Sequence, residues 1–323
     1  MMEPVDEIRV QVLVDNVSDG LSSGPAHVRN EFGNAVTRGL RPASADTLCC
    51  AAHGLSLLLT ARRGDTRHSV LFDTGPEDYA FGRNALRLGA AVDTVEAMVL
   101  SHGHWDHCGA ALSALAAARK GTERRVAVYT HPDMFVTRAL RLPDGHITVM
   151  DGVPDPAQLT NAGADVIVTR EPAVLLDRMF YLSGEIPRTT DFEPGMPGQL
   201  RRAGPGDVWE PDEVVIDERW FAVHVAGKGL IVFSACSHAG IVNVLNHARS
   251  TFPDVPLHAV VGGLHLAGPS EIHIPATVQA LQEFGLRGIA PAHCTGWRAV
   301  SALLQAFGED VVAPCAVGKS YDY

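Results

Sequence analysis

The sequence predicts an α/β (α+β) fold in which two mixed β-sheets pack face to face between helices, a four-layer αββα sandwich. Two sections of the chain alternate short β-branched runs with helical segments, and such runs are typical of strands when glycine or aspartate bounds them. In both sections a strand leads into a loop that carries histidines. We therefore expect the histidines to meet at one edge of the sandwich.

Four strands are predicted in each section. In order they span Ile8–Val14, Leu55–Thr60, Ser69–Phe72, Val95–Leu100, Trp220–Val225, Leu230–Ser234, His258–Val261 and Gly288–Pro291. The predicted helices span Gly82–Leu88, Gly109–Arg119, Ile241–Ser250 and Ala276–Phe284. Each section thus supplies a sheet and the helices that cover it.

Three stretches are predicted to be loops because proline, glycine and aspartate crowd them. They are residues 16–45, 144–156 and 187–211. The last is too long for an ordinary connection, so it is expected to be a lid or a substrate-facing insertion. A disordered surface excursion is the alternative. Residues 16–45 are expected to flank the mouth of the site.

Composition restricts the protein class. A hydrophobic content of 46% in 323 residues predicts a substantial core, and no apolar run is long enough to span a bilayer. The amino terminus lacks the features of a signal peptide, so a cytoplasmic location is expected, with six reduced cysteines. The net charge of −11 disfavours nucleic acid and anionic membranes as partners. A small-molecule substrate is expected. Assembly into a homo-oligomer is compatible with the sequence.

The run SHGHWDH, residues 101–107, predicts half of a two-metal site. His102 and His104 are two apart and can converge on one ion, whereas Asp106 and His107 can turn to a second. Imidazole and carboxylate suit zinc, with manganese or iron as alternatives. Two ions about 3.5–4 Å apart polarise a substrate and hold a leaving oxygen. A histidine-rich surface loop is disfavoured because a buried strand enters the run and a helix leaves it.

The same run matches the HxHxDH signature of the metallo-β-lactamase superfamily, whose members fold as αββα sandwiches. A narrower resemblance is to the subgroup of metal-dependent hydrolases often named dihydropterin ribofuranosylaminobenzene 5′-phosphate synthase. This resemblance implies one metallo-β-lactamase-like domain over residues 1–323 with insertions near 16–45 and 187–211. The motifs that carry it are VDN (14–16), HGLS (53–56), FDTG (72–75), SGEIPR (183–188), CSHAGIVN (236–243), GGLHL (262–266) and HCTG (293–296).

The resemblance implies roles for two further residues. Asp73, after a predicted strand, would orient the ligating histidines from outside the coordination sphere, as metal-bound imidazole usually requires; a turn aspartate is the alternative. His293, at the end of the last predicted strand, would complete the second ion together with Asp106 and His107. The expected cofactor is therefore one or two divalent metal ions.

The chain departs from the superfamily pattern at the first ion. Where most members have a third histidine ligand, Glu185 stands here, either as a tentative ligand that favours manganese or iron or as a substrate contact. The aspartate that bridges the two ions in relatives is missing here, and the corresponding stretch after the next predicted strand offers Cys236 or His238 instead. His238 is the favoured ligand, and Cys236 is expected to be a packed free thiol.

Two other residues are candidates for contact with the substrate, and each has a structural alternative. His265 would bind substrate or stabilise the transition state, or else is a structural histidine. Arg188 would pair with a phosphate or carboxylate of the substrate, or else is a solvated loop arginine. His53 precedes a predicted strand, and a pocket role is the less favoured interpretation for it.

The leading functional hypothesis is a metallo-hydrolase in which a metal-held hydroxide attacks an ester-like centre and Asp106 orients it or accepts its proton. A phosphodiester or other phosphate-bearing small molecule is favoured over a lactone or carboxylic ester. One alternative is a pterin-pathway transferase that uses the ions to activate a pterin for condensation. The other is a non-catalytic metabolite sensor with a structural metal.

Overall fold

The computed structural model describes residues 2–40 and 44–323; residues 41–43 of the predicted 16–45 insertion lie outside the described residues. The strands are β1 (Glu7–Val14), β2 (Val28–Arg29), β3 (Ser56–Arg63), β4 (Thr66–Phe72), β5 (Val95–Val99), β6 (Val126–Thr130), β7 (Thr137–Arg141), β8 (Ile147–Val149), β9 (Ala164–Val168), β10 (Ala173–Leu175), β11 (Phe180–Leu182), β12 (Gln199–Arg202), β13 (Glu210–Pro211), β14 (Phe221–Val225), β15 (Gly229–Ser234), β16 (Leu257–Gly263), β17 (Gly288–Ala292) and β18 (Ser320–Asp322). The α-helices are α1 (Glu31–Thr37), α2 (Asp78–Leu88), α3 (Trp105–Cys108), α4 (Ala111–Ala118), α5 (Pro156–Asn161), α6 (Ile241–Thr251), α7 (Ile274–Leu281) and α8 (Trp297–Phe307). Short 3-10 helices span Val92–Thr94, Pro132–Phe135, Gly268–His273 and Gln282–Phe284.

Two mixed sheets form the centre of the protein. The first has the strand order β2-β18-β1-β3-β4-β5-β6-β9, and the second has the order β10-β11-β14-β15-β16-β17. Their facing sides bury one apolar core, in which the rings of Phe72 and Phe221 stack at 5.8 Å between centroids. Burial of such large aromatic surfaces is the main source of stability for two packed sheets.

Helices cover both outer faces. The apolar sides of α2, α4 and α5 pack on the first sheet, and those of α6, α7 and α8 pack on the second. The predicted sandwich of two mixed sheets between helices is confirmed. Among the described residues, no helix combines the length and apolar character that a membrane crossing requires.

A third, antiparallel sheet of order β13-β12-β7-β8 differs from the loop prediction. Its strand β8 lies within residues 144–156, and β12 and β13 lie within residues 187–211. In the register of β12 with β7, Leu200 opposes Ala139. These partners are far apart in the sequence, so the local proline and glycine signals could not reveal the pairing.

One helix begins earlier than predicted, and another is preceded by a separate helical turn. Helix α2 begins at Asp78, because the Glu77 side chain caps it by accepting a hydrogen bond from Ala80 N. The helix predicted from Gly109 is preceded by the single turn of α3, which contains part of the histidine run. At Gly109 a Cβ atom would lie 1.8 Å from the carbonyl oxygen of Pro76. Only glycine therefore allows this turn to pack against the chain that follows β4.

The carboxyl ends of the parallel strands define one edge of the sandwich. Strands β4 and β5 are parallel in the first sheet, and β15, β16 and β17 are parallel in the second. Loops after these strands carry the histidine run and four further motif residues: Asp73 after β4, His238 after β15, His265 after β16 and His293 after β17. Side chains far apart in sequence are thus brought to one place, as is common for α/β enzymes.

Candidate metal centre

Asp73 organises the first part of the site. Its backbone is left-handed, with φ of 57°, and its side chain is fully buried. The carboxylate accepts hydrogen bonds from the backbone nitrogen and the hydroxyl of Ser101, both at 2.7 Å, and lies 2.7 Å from Nδ1 of His107. The Ser101 hydroxyl also lies 2.8 Å from Nδ1 of His102. With their Nδ1 atoms held in this way, His102 and His107 each leave Nε2 to bind a metal ion.

His102 and His104 converge through different ring nitrogens. Nε2 of His102 lies 3.0 Å from Nδ1 of His104, while Nε2 of His104 lies 2.7 Å from Oε1 of Gln199. Two nitrogen ligands of a tetrahedral zinc ion, each about 2.0–2.1 Å from the metal, are separated by about 3.3 Å. The observed separation is close to that value, so one ion fits between the two rings after a small adjustment.

Asp106 faces a second set of nitrogens. Its Oδ2 atom lies 3.5 Å from Nε2 of His107, 3.8 Å from Nε2 of His293 and 3.7 Å from Nε2 of His53. The side chains of His107 and His293 have no exposed surface, whereas that of His53 is 56% exposed. His53 therefore lies at the entrance, and the other two lie at the floor.

His238 and Cys236 follow β15 and lie between the pair His102 and His104 and the group around Asp106. Ligand atoms of His102, Cys236 and His238 lie within 4.8 Å of one another, and so do those of His107, Cys236 and His293. Neither residue is more than 3% exposed. The ring of His238 is 5.0 Å from that of His102 and 4.8 Å from that of His104, measured between centroids.

Unsatisfied nitrogens show that this donor set fits metal ions. Both ring nitrogens of His238, both of His293 and Nε2 of His107 are buried without a hydrogen-bond partner among the described residues. Leaving several buried polar atoms unpaired in one place is costly. Imidazole nitrogens at a site that also holds a carboxylate and a thiol are suitable ligands for a transition-metal ion such as zinc.

The protonation states of three of these histidines agree with ligation. Burial lowers the pKa of His102 and of His238 well below its ordinary value, and burial together with the nearby Arg138 lowers the pKa of His104 to about 4. These three rings are therefore neutral, the form that binds metals. Burial also acts to lower the pKa of His107, but the charges of Asp106 and Asp73 outweigh it and raise that pKa to about 9.

Two tentative site residues have other partners. Glu185 Oε1 accepts from Arg170 at 2.7 Å and lies 3.3 Å from His131 Nε2. The structure therefore places it in a cluster with His131 and Asp133 and does not bring it to His102. Arg188 donates to the backbone carbonyls of Ile186, at 2.8 Å, and Val214.

His265 does adjoin the centre. Its ring lies 4.3 Å from that of His238 between centroids, and its Nδ1 atom lies 3.5 Å from Cys236 Sγ. With Cys236 and Cys294 it forms a third group whose ligand atoms lie within 4.8 Å of one another.

A buried ionic network supports the histidine run from the third sheet, and sequence reasoning missed it. Arg138 on β7 donates to Asp217 at 3.1 Å and to Asp212 at 2.8 Å, and Asp217 accepts from the backbone nitrogen of Gly103 at 2.7 Å. Asp217, Glu218 and Arg219 are all buried. Three consecutive charged residues directly before a strongly apolar strand were the available signal, because buried charges require partners.

A cleft of about 1070 Å³ opens beside His293. One side is formed by the segment after β1, in which Asn16 donates to the carbonyl oxygen of His293 at 2.8 Å. Arg29 and Lys319 line it together with four carboxylates, and Lys319 is paired with Asp19 at 3.2 Å. Trp297, 74% exposed, supplies an aromatic surface. The cleft is therefore large enough for a small aromatic molecule and carries charges of both signs.

Comparisons with known proteins identify the family and the relatives of this chain. The sequence profile described as the metallo-beta-lactamase superfamily matches residues 54–245. A 7,8-dihydropterin-6-methyl-4-(β-D-ribofuranosyl)-aminobenzene-5′-phosphate synthase of Methanocaldococcus jannaschii is 28% identical over 260 residues, which cover 80% of this chain and 86% of that protein. An uncharacterised protein of the same organism is 28% identical over 79% of this chain and 88% of its own length.

Solved structures share the fold. A protein described as a metal-dependent hydrolase of the beta-lactamase superfamily has a TM-score of 0.69 at 24% identity, covering 97% of this chain and 98% of its own. The metallo-beta-lactamase fold protein YhfI from Bacillus subtilis has a TM-score of 0.52 at 12% identity, covering 98% of this chain and all of its own. At these identities the likeness concerns the fold alone.

The comparisons correct one expectation from the sequence. The hydrolase hypothesis is wrong as the leading function, because the curated relative with a named activity is a synthase. The fold and that relative support an enzyme that acts on a small molecule, and the family supports metal binding. The profile match spans more than half of the chain, and the histidine run lies inside it; the chain therefore belongs to the metallo-beta-lactamase superfamily.

Proposed function

We propose that this protein is a metal-dependent synthase that joins a dihydropterin to a ribosylated aminobenzene phosphate. The observation that carries the proposal is the relative of that name, which this chain matches over 80% of its own length and 86% of the relative's. The pterin-pathway transferase, an alternative at the level of the sequence, thereby replaces hydrolysis as the leading function.

Two divalent ions, with zinc favoured, would be held at the proposed centre. His102, His104 and His238 would hold the first, and Asp106, His107 and His293 would hold the second. When bound, the ions would supply positive charge for an oxygen that becomes anionic as it leaves. Asp73 and Gln199 would orient the imidazoles through hydrogen bonds to the ring nitrogens that do not bind metal.

The reaction that fits this centre is a displacement at the 6-methylene carbon of the pterin. The aniline nitrogen forms a bond to that carbon, the carbon–oxygen bond to an anionic leaving group breaks, and the nitrogen gives up a proton. Asp106 is the proposed proton acceptor, because its carboxylate is 12% exposed at the floor of the site. In the metal-free protein, the charges of His107 and His293 outweigh the effect of burial and lower the pKa of Asp106.

The cleft beside His293 is the proposed substrate site. Its volume of about 1070 Å³ is sufficient for both aromatic rings and the ribose phosphate. Arg29 is the proposed contact of the phosphate. We further propose that the chain acts as one domain, with residues 16–30 of the 16–45 insertion forming part of the wall of this cleft and the segment near 187–211 supporting the metal centre.

The test is a search for a joined product. Zinc-loaded protein would be incubated with ribofuranosylaminobenzene 5′-phosphate and a dihydropterin that carries diphosphate on its 6-methylene group, and the products separated by mass. We expect the coupled pterin and one diphosphate per turnover, with loss of the product after chelation.

Two variants complete the test. His102→Ala should abolish the coupled product, whereas His146→Ala, an exposed histidine on the β7–β8 turn, should leave the rate unchanged. Release of 6-hydroxymethyl pterin without any coupled product would show that water is the acceptor and would reject the synthase proposal.

A further inference from the structure

Cys236 lies at the point that joins both halves of the metal centre. Its sulfur belongs to the group with His102 and His238 and also to the group with His107 and His293, in each case with all ligand atoms within 4.8 Å of one another. It is the residue that these two groups share. We propose that the Cys236 thiolate bridges the two metal ions, an inference that rests on the proposed metal centre and extends it.

The distances suit a bridge. A sulfur about 2.3 Å from each of two zinc ions, with an angle near 100° at the sulfur, places the ions about 3.5 Å apart. That separation falls at the lower end of the range of about 3.5–4 Å in two-metal sites. Sulfur and nitrogen ligands of one tetrahedral zinc ion are about 3.6 Å apart. The upper limit of 4.8 Å for the observed groups leaves room for this arrangement.

The charge of the ligand set also favours a bridging thiolate. The proposed ligands include five histidines and only one carboxylate, Asp106, against two divalent ions. Since the whole centre is buried, each anionic ligand offsets metal charge in a medium of low polarity. A thiolate between the ions offsets the charge of both, and metal binding itself removes the proton from a coordinating thiol.

The unpaired nitrogens around Cys236 show that the sulfur is not simply a packed core thiol. His238 and His293 flank it, and both ring nitrogens of each are buried without a hydrogen-bond partner among the described residues. A thiol packed only against apolar groups would need no such neighbours. Their convergence on one sulfur is instead the arrangement that ligation requires.

A second thiol, Cys294, lies beside Cys236. Its sulfur lies 3.1 Å from that of Cys236, and it accepts a hydrogen bond from the backbone nitrogen of His265 at 3.3 Å. Gly263 makes room for it, because a Cβ atom there would lie 2.4 Å from the Cys294 sulfur. With Cys236 bound as a thiolate, the Cys294 thiol would donate to it from outside the coordination sphere. Cys294 would therefore support the bridging thiolate and is unsuitable as a control variant.

The test uses cobalt as a spectroscopic probe in the absence of substrate. Apoprotein would be titrated with Co²⁺, and the thiolate-to-cobalt charge-transfer absorption and the number of ions bound would be recorded. We expect two ions per chain and a charge-transfer band whose intensity continues to grow with the second ion. Cys236→Ser should lose the band and bind the second ion at least about tenfold more weakly, whereas Cys50→Ser, a half-buried thiol in none of the candidate metal groups of the described residues, should keep both.

Further arms separate ligation from folding. Cys236→Asp should recover binding of two ions without the band, because a carboxylate can also bridge. X-ray absorption of zinc-loaded wild-type protein, which needs no variant, should show sulfur at about 2.3 Å. A band that persists in Cys236→Ser, or zinc without a sulfur neighbour, overturns the bridge. Neither result depends on turnover, so failure of the bridge is distinct from failure of the synthase proposal.

Discussion

Gln199 Oε1 accepts a hydrogen bond from Nε2 of His104 at 2.7 Å. The amide nitrogen of Gln199 donates in turn to Asp212 at 3.0 Å, so the amide oxygen faces the imidazole. The tautomer of His104 is thereby set, and Nδ1 faces His102. A residue from the 187–211 segment thus controls a proposed ligand of the first ion, which gives the third sheet a direct connection to the metal centre.

Gln199→Ala should weaken metal binding. Without the amide, the His104 ring loses the partner that selects its tautomer, and loss of such a partner typically costs about 10–100-fold in metal affinity. The measurement is a zinc titration against a competing chelator. Gln279→Ala, on the exposed side of α7, should leave the affinity unchanged. Equal affinities for both variants would show that Gln199 does not position His104.

Asp73→Asn should also weaken metal binding, by about 10–100-fold. Asparagine tolerates the left-handed backbone at this position. Its amide cannot accept all three hydrogen bonds that the carboxylate receives from Ser101 and His107. The same competition titration measures the effect, with the exposed Asp93→Asn as the control. Unchanged affinity together with lower thermal stability would assign Asp73 to the turn alone.

Gly103→Ala should destabilise the protein by about 1–3 kcal/mol, the range for a forced overpacking. The new Cβ atom would lie 2.2 Å from the carbonyl oxygen of Met134 and 2.6 Å from Nη1 of Arg138. Gly82→Ala is the opposite case, because that exposed position in α2 has no atom within 4 Å of a Cβ. It should stabilise by about 0.5–1 kcal/mol. Urea unfolding of the metal-free proteins measures both, and equal signs would contradict the steric argument.

The stability of the metal-free protein should depend on pH through His68. Its side chain is 14% exposed and lies 2.9 Å from Glu96 and 3.0 Å from Asp177. Burial acts to lower the pKa of His68, but the hydrogen bonds and charges of these carboxylates outweigh it and raise that pKa above the ordinary 6.5. The raised pKa contributes stability that is present below about pH 6.5 and is lost as the pH rises through the folded-state value.

His68→Gln should therefore reduce the free energy of unfolding more at about pH 5.5 than at about pH 9, by up to about 1 kcal/mol for a partly exposed cluster. Urea titrations at the two pH values in the presence of chelator provide the measurement. In a protein that already carries Glu96→Gln and Asp177→Asn, His68→Gln should change the free energy of unfolding by the same amount at both pH values. A difference that survives those changes would place its origin elsewhere.

The loops near the site make contacts that local sequence patterns do not predict. The long 187–211 segment was expected to be a lid or an insertion facing the substrate, yet its β12 pairs with β7 and its Gln199 contacts His104. Glu185 was expected near His102, yet Arg170 and His131 are its partners. In both cases the deciding contact joins residues whose separation in sequence carries no local signal.

The fold class could be predicted from local patterns, because strand periodicity and the positions of apolar residues follow from burial on one or both faces of a sheet. The sequence itself also determined where the histidines belong, since residues that follow parallel strands must gather at one edge. Which of these side chains lie close enough to bind the same metal ion could be seen only in the tertiary structure. Convergence at Cys236 and support from Gln199 depend on ångström-scale distances between loops of different sheets, and only the packing of the whole molecule sets those distances.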